Sequence, residues 1–100
     1  MKMLNIADEA GRFPAGREVG ASVRETVIEG LRQQECVTLS FAGVSAVTPS
    51  FADELFGGLL AELGNARFRE RIRVSGADPE VADWIRHALA RKSRELEAPV

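Results

Sequence analysis

A chain with one cysteine, Cys36, has no internal disulfide framework. That excludes the stapled scaffold of small secreted domains and sets the expectation of a reducing, cytoplasmic setting. One histidine, His87, leaves no second imidazole for a metal site, so no metal and no cofactor are expected. Tyrosine is absent and aromatics make up 6% of the residues, which leaves little for stacking on nucleic-acid bases. The formal charge is -2, so no global field recruits nucleic acid or anionic lipid. No apolar run approaches the roughly 20 residues that span a bilayer. The opening Met1-Lys2-Met3-Leu4-Asn5 meets Asp8 and Glu9 too soon for a secretory leader. Neither nucleic acid nor membrane is expected as a partner.

What is present is ordinary globular material: 45% apolar and 28% charged residues in a chain of 100. One domain over residues 1–100 is the expectation. Three short segments alternate apolar and polar residues: Lys2 to Ile6, Cys36 to Phe41 and Arg71 to Ser75. Period two means strands with one buried face. Val37, Leu39, Phe41, Ile72 and Val74 are expected inside, and Thr38, Ser40, Arg71 and Arg73 on the opposite face. A sheet covered on both faces would show continuous apolar runs instead.

Helical stretches separate the strands. Val19, Val23, Val27 and Leu31 form an i, i+4 stripe whose helix starts either at Gly16 or at the Ser22/Glu25 capping box. A second helix runs from about Pro49 to Leu63, stopped by Gly64-Asn65. A third opens at Asp78-Pro79-Glu80 and buries Val81, Ile85, Ala88 and Leu89. Residues 91–100 offer little to bury and are expected to fray. Asp8 to Gly16 reads as a loop. The result is an α/β domain, a small, mostly parallel sheet with about three helices packed mainly on one face.

The stretch from Leu39 to Leu60 carries identity. Ser40-Phe41-Ala42-Gly43-Val44 is followed by Val47-Thr48-Pro49-Ser50-Phe51-Ala52-Asp53-Glu54-Leu55. This resembles the STAS domain of anti-sigma factor antagonists. It is closer still to a bacterial STAS-like family of unknown function whose helix begins Ser-Phe-Ala-Asp-Glu-Leu. The resemblance implies a STAS-like fold and a non-enzymatic regulatory module. It also implies a protein partner, a kinase-like ATPase or an anti-sigma-type protein, docking on the Ser50 helix. The serine phosphorylated in antagonists maps onto Ser50. Thr48 stands where antagonists have aspartate, and Phe51 where they have glycine.

Read from the residues alone, Thr48 before Pro49 is a natural helix cap, and Ser50 is either a second candidate for that cap or a phosphorylation switch. Asp53 and Glu54 suit the positive end of a helix better than they suit acid–base catalysis. The pair Gly57-Gly58 weakens a helix interior, so something must approach closely there. Gly58 is expected on an exposed or partner-facing side, Gly57 inside. Thr48, Ser50, Asp53, Glu54 and Gly58 are thus the candidate docking residues. Arg12 and Arg17, in a Gly- and Pro-rich loop, would instead serve an alternative function. There, a phosphorylated small ligand or nucleotide would be held against the Ser50 helix end. The run Arg67, Arg69, Arg71 and Arg73 reads as a solvated face.

Overall fold

The computed structural model describes residues 2–97. Strand β1 (Lys2–Asn5) leads into a short helix α1 (Ile6–Ala10) and then α2 (Arg17–Gln33). Strand β2 (Val37–Ser40) is followed by α3 (Pro49–Ala52), a π-helical turn (Asp53–Gly57) and α4 (Gly58–Arg71). Strand β3 (Ile72–Ser75) and α5 (Pro79–Glu97) complete the chain. The three strands pair in the order β1-β2-β3, all parallel. The α/β fold with a small parallel sheet is therefore the architecture observed.

The alternation places Lys2, Val37 and Ile72 in one cross-strand row and Leu4, Leu39 and Val74 in the next. These rows face the helices. A Cβ on Gly30 of α2 would sit 3.2 Å from Val37 Cγ2, so glycine lets that helix lie close against the sheet. The core joins Leu4, Val37, Leu39 and Ile72 to Val23 and Val27 of α2, to Leu55 and Leu59, and to Val81 and Ile85 of α5. Fully burying each such side chain stabilises by about 1.5–3 kcal/mol. Phe41 and Phe56, the latter within the π-turn, stack at 5.9 Å between centroids.

Two expectations about the sheet need correction. Thr38 and Ser40 are buried, although they point to the outer face. No second helical layer explains this, because Met3 beside Thr38 is 65% exposed and Arg73 on its other side is exposed too. Thr38 lies between the longer Met3 and Arg73, and Ser40 Oγ accepts from the Ala42 amide at 3.4 Å. Val74, in contrast, lies on the inner face yet is 41% exposed, since it sits near the end of an edge strand.

The segments around the strands also differ from expectation. Ile6 starts α1 instead of ending β1, and α1 occupies the start of the expected loop. Gly16, with φ 88°, precedes α2, so the helix starts at Arg17 and not at Ser22. Gly64, with φ 81°, breaks α4 where the stop was expected, and residues 65–71 then form further helix. At α5, Asp78 Oδ1 accepts from the Val81 amide at 2.9 Å, as its sequence signal indicated. The helix continues to Glu97, so the tail expected to fray from residue 91 is helical that far. Residues 98–100 lie outside the described residues.

Arg71 belongs to the end of α4 and is half-buried, not on a solvated strand face. Its guanidinium donates to the carbonyls of Leu31 (2.6 Å), Glu35 (3.1 Å) and Gln34 (3.2 Å). Leu31 is in the last turn of α2 and Gln34 and Glu35 follow it, where the helix dipole also favours a cation. Arg73 does the same for α4, donating to Arg69 O at 2.7 Å. Arg67 and Arg69 are exposed.

Candidate functional site

Thr48 organises the start of the Ser50 helix. Its Oγ1 accepts from the Phe51 amide at 3.2 Å and from the Gly16 amide at 3.0 Å. One hydroxyl thus caps α3 and tethers the first residue before α2. The Gly11–Gly16 loop is laced to the same segment, with the Ser45 amide on Arg12 O (2.8 Å) and the Thr48 amide on Pro14 O (3.2 Å). The cap belongs to Thr48, and Ser50 is left half-buried with its Oγ 3.3 Å from Thr48 Oγ1. Phe51, at the position of the antagonist glycine, is wholly buried in the core.

Past Ala52 the helix widens into the π-turn. Such turns form where something interrupts the regular ladder. At this turn Arg24 of α2 donates through Nη1 to the Glu54 carbonyl at 2.7 Å and to Glu54 Oε2 at 2.6 Å. Arg17 reaches the same carboxylate at 3.4 Å, and Arg91 of α5 pairs with Asp53 at 2.8 Å. The Arg24 hydrogen bond is the main cause that holds the Glu54 carboxyl below the usual glutamate range. Partial burial opposes it, and the charge of Arg24 and the contact from Arg17 reinforce it. A carboxylate held this way is a poor proton acceptor.

The two glycines make room on opposite sides. A Cβ on Gly57 would meet Lys92 Cε of α5 at 3.2 Å. At Gly58 a Cβ would collide with Arg24, lying 2.7 Å from Cδ and closer to Nη1. Gly58 is thus half-buried under an arginine of the protein itself, which corrects the expectation of an open, partner-facing glycine. Gly20 repeats the device on α2, where a Cβ would lie 2.9 Å from Glu54 Cβ and Phe51 O.

Between α2, the π-turn and α5 these groups line a cleft of about 180 Å³, bounded by Arg17, Asp53, Glu54, Gly58, Arg91 and Lys92 among others. The structure brings Asp53, Glu54, Gly58 and Arg17 together there. Thr48 and Ser50 sit on the adjoining turn. Arg12 is apart: its guanidinium reaches Ser45 Oγ at 3.3 Å, so the two loop arginines turn to different partners and do not converge on Ser50. His87 is exposed, with its ring against Trp84. Among the described residues no group of three or more metal-ligating side chains is assembled. No helix of the described residues is long and apolar enough to cross a membrane.

Sequence reading missed Arg24, Arg91 and Lys92. For Arg24 a signal existed: Arg17, Gly20 and Arg24 recur at intervals of three and four residues, which puts a glycine between two arginines on one helical face. No local signal could announce Arg91 and Lys92, since they meet Asp53 and Gly57 only through the packing of α5.

A family model described as "STAS-like domain of unknown function (DUF4325)" matches residues 19–82. That span holds the strand, the Thr48 cap, the Ser50 helix and the π-turn. The chain belongs to this family. Searches among curated proteins and among solved structures gave no match. Asp53, Glu54, Gly57 and Gly58 of the cleft fall within the matched residues of this STAS-like domain, whereas Arg17, Arg91 and Lys92 fall outside them.

Proposed function

We propose that this STAS-like domain is a non-enzymatic regulatory module that docks a protein partner on the Ser50 helix. A partner resembling those of the anti-sigma factor antagonists, a kinase-like ATPase or an anti-sigma-type protein, fits the family resemblance. One observation carries the reading. The half-buried Ser50 hydroxyl stands one turn before Asp53 and Glu54, and those two acids line the cleft. Positions three and four apart share a helix face, so a modification at Ser50 and a partner on the cleft would sense each other. Against catalysis stand the two acids themselves, each engaged by an arginine.

A phosphate on Ser50 would add nearly two negative charges to that rim. The Thr48 cap and the buried Phe51 hold the helix independently, so the fold survives while docking changes. The test begins with partner capture by unmodified and Ser50-phosphorylated protein. The captured partner is then purified, and its affinity for each form is measured by calorimetry. Weaker binding of the phosphorylated form supports the switch, with Ser50→Ala preserving affinity and both proteins folded. Equal affinities would reduce Ser50 to a structural hydroxyl beside the cap.

A further inference from the structure

The ion pairs of the cleft are unequal in depth, and that asymmetry decides which charges stand outermost. The Arg17 side chain is 69% exposed whereas the Glu54 carboxylate it touches is 25% exposed. Arg91 is 50% exposed against 22% for Asp53. At both places the acid lies low and the guanidinium stands above it. Arg24, at 21%, lies beneath and supplies a further positive charge to Glu54. Each outer arginine pairs through Nη1, and a guanidinium has five N–H donors, so donors remain for a second carboxylate. Lys92 with Glu95 runs the other way, the acid being the more exposed partner at 55%. Lys92 and Glu95 also line the cleft, so one exposed acid stands beside the arginines. An approaching molecule therefore meets two arginines, one from each flanking helix.

We infer that this cleft receives an acidic segment of a protein partner, its carboxylates bridging Arg17 on α2 and Arg91 on α5. Planar bidentate geometry makes arginine the better residue for such recognition. The inference rests on the reading that a partner docks at this cleft, and adds the partner's charge. It also gives the Ser50 switch its direction, since a phosphate on the adjoining turn would repel an acidic segment or draw Arg17 away from it.

The test uses the full chain, isotopically labelled, titrated at low salt with a short oligoglutamate peptide and, separately, with oligolysine. Oligoglutamate is expected to shift the amide resonances of Arg17, Glu54, Gly58 and Arg91 in a saturable manner, while oligolysine leaves them in place. The Arg17→Ala/Arg91→Ala variant should bind about tenfold more weakly, whereas Arg67→Ala/Arg69→Ala, on the exposed run, should bind unchanged. Shifts centred on residues 65–71, no shifts at all, tighter binding of oligolysine, or full affinity in Arg17→Ala/Arg91→Ala would each overturn the inference. Repeating the titration with Ser50-phosphorylated protein separates the two ideas. Equal oligoglutamate binding at the cleft in both forms removes the switch and keeps the acidic preference. A native partner that discriminates the two forms, with oligoglutamate ignoring the cleft, removes the acidic preference and keeps the switch.

Discussion

Arginines gather at two ends of this domain and do different work. At the lower end Arg71 and Arg73 lie against main-chain carbonyls at the C-termini of α2 and α4. At the cleft Arg17, Arg24 and Arg91 lie against carboxylates. Carbonyls of a helix end have few other partners, so a guanidinium there completes the backbone accounting. A carboxylate near the surface has water as an alternative, and its ion pair contributes little. The first cluster should therefore matter to stability and the second to recognition, with Arg24, the deepest of the cleft arginines, between them.

The sharpest way to break that contrast is Arg71→Met, which keeps a long apolar stem and removes three carbonyl contacts. Charge-assisted hydrogen bonds and the lost dipole interaction together predict a destabilisation of about 2 kcal/mol. Urea unfolding with an unchanged slope would measure it. A loss below about 0.5 kcal/mol would mean that water replaces the arginine and that the two clusters are alike.

Next in size is a change of sign at Gly58. Replacing a helix-interior glycine by alanine normally gains about 1 kcal/mol. In this protein the added methyl displaces Arg24 from both of its bonds to Glu54. Gly58→Ala alone is therefore expected to be destabilising by about 0.5–1 kcal/mol. In an Arg24→Ala background nothing is displaced, and the same substitution should stabilise by about 1 kcal/mol. The double-mutant cycle reports the coupling directly. Additive effects would show that Arg24 moves aside freely and does not depend on the glycine.

These two predictions mark where the sequence could be read and where it could not. Alternation gave the strands, because a residue pointing inward on a pleated strand has its neighbours pointing outward. Cap chemistry located the starts at Thr48 and Asp78 and the break at Gly64, because each acts within a turn of itself. The surface assignments failed where partners come from far along the chain. Arg71 finds Leu31, forty positions away, and Gly58 finds Arg24, and no local pattern in the helix of either records that meeting. Val74 failed for a related reason: alternation gives the face of a strand but not how far the covering helices extend. The candidate site was legible as a set of residues, yet its arginine side was supplied by the packing of α2 and α5.

Acid should act on the cleft cluster and leave the carbonyl-bound cluster alone. Glu54 has a lowered pKa in the folded chain, chiefly through its hydrogen bond from Arg24. The unfolded chain, with an ordinary glutamate value near about 4.3, binds the proton at higher pH than the folded one. Stability from this group is therefore complete above that value and is lost as pH falls through the folded pKa. The wild type should lose more stability than Glu54→Gln between mildly acidic pH and the bottom of that window, as measured by denaturant titrations at each pH. Parallel losses in the two proteins would mean that the Arg24 contact does not distinguish folded from unfolded Glu54.

The smallest effect on stability is expected where recognition is expected to be largest. Arg17 is 69% exposed and meets Glu54 at 3.4 Å, a long contact in a wet setting. Ordering its side chain there costs entropy of the same size as the gain, so Arg17→Ala should change the unfolding free energy by less than about 0.5 kcal/mol. Glu54 keeps Arg24, so the substitution leaves no carboxylate unpaired. Outwardly the change is larger, because a guanidinium fork leaves one wall of the cleft and the opposite wall keeps Arg91. An acidic segment that bridges both walls would then hold to one, and its dissociation would quicken while the domain melts at the same temperature. The pair of measurements, unfolding midpoint and oligoglutamate affinity on one variant, tests the contrast between the clusters at its weakest point. If Arg17→Ala lowers the midpoint as far as Arg71→Met does, the cleft arginines are structural, and the division between the two ends of the molecule does not hold.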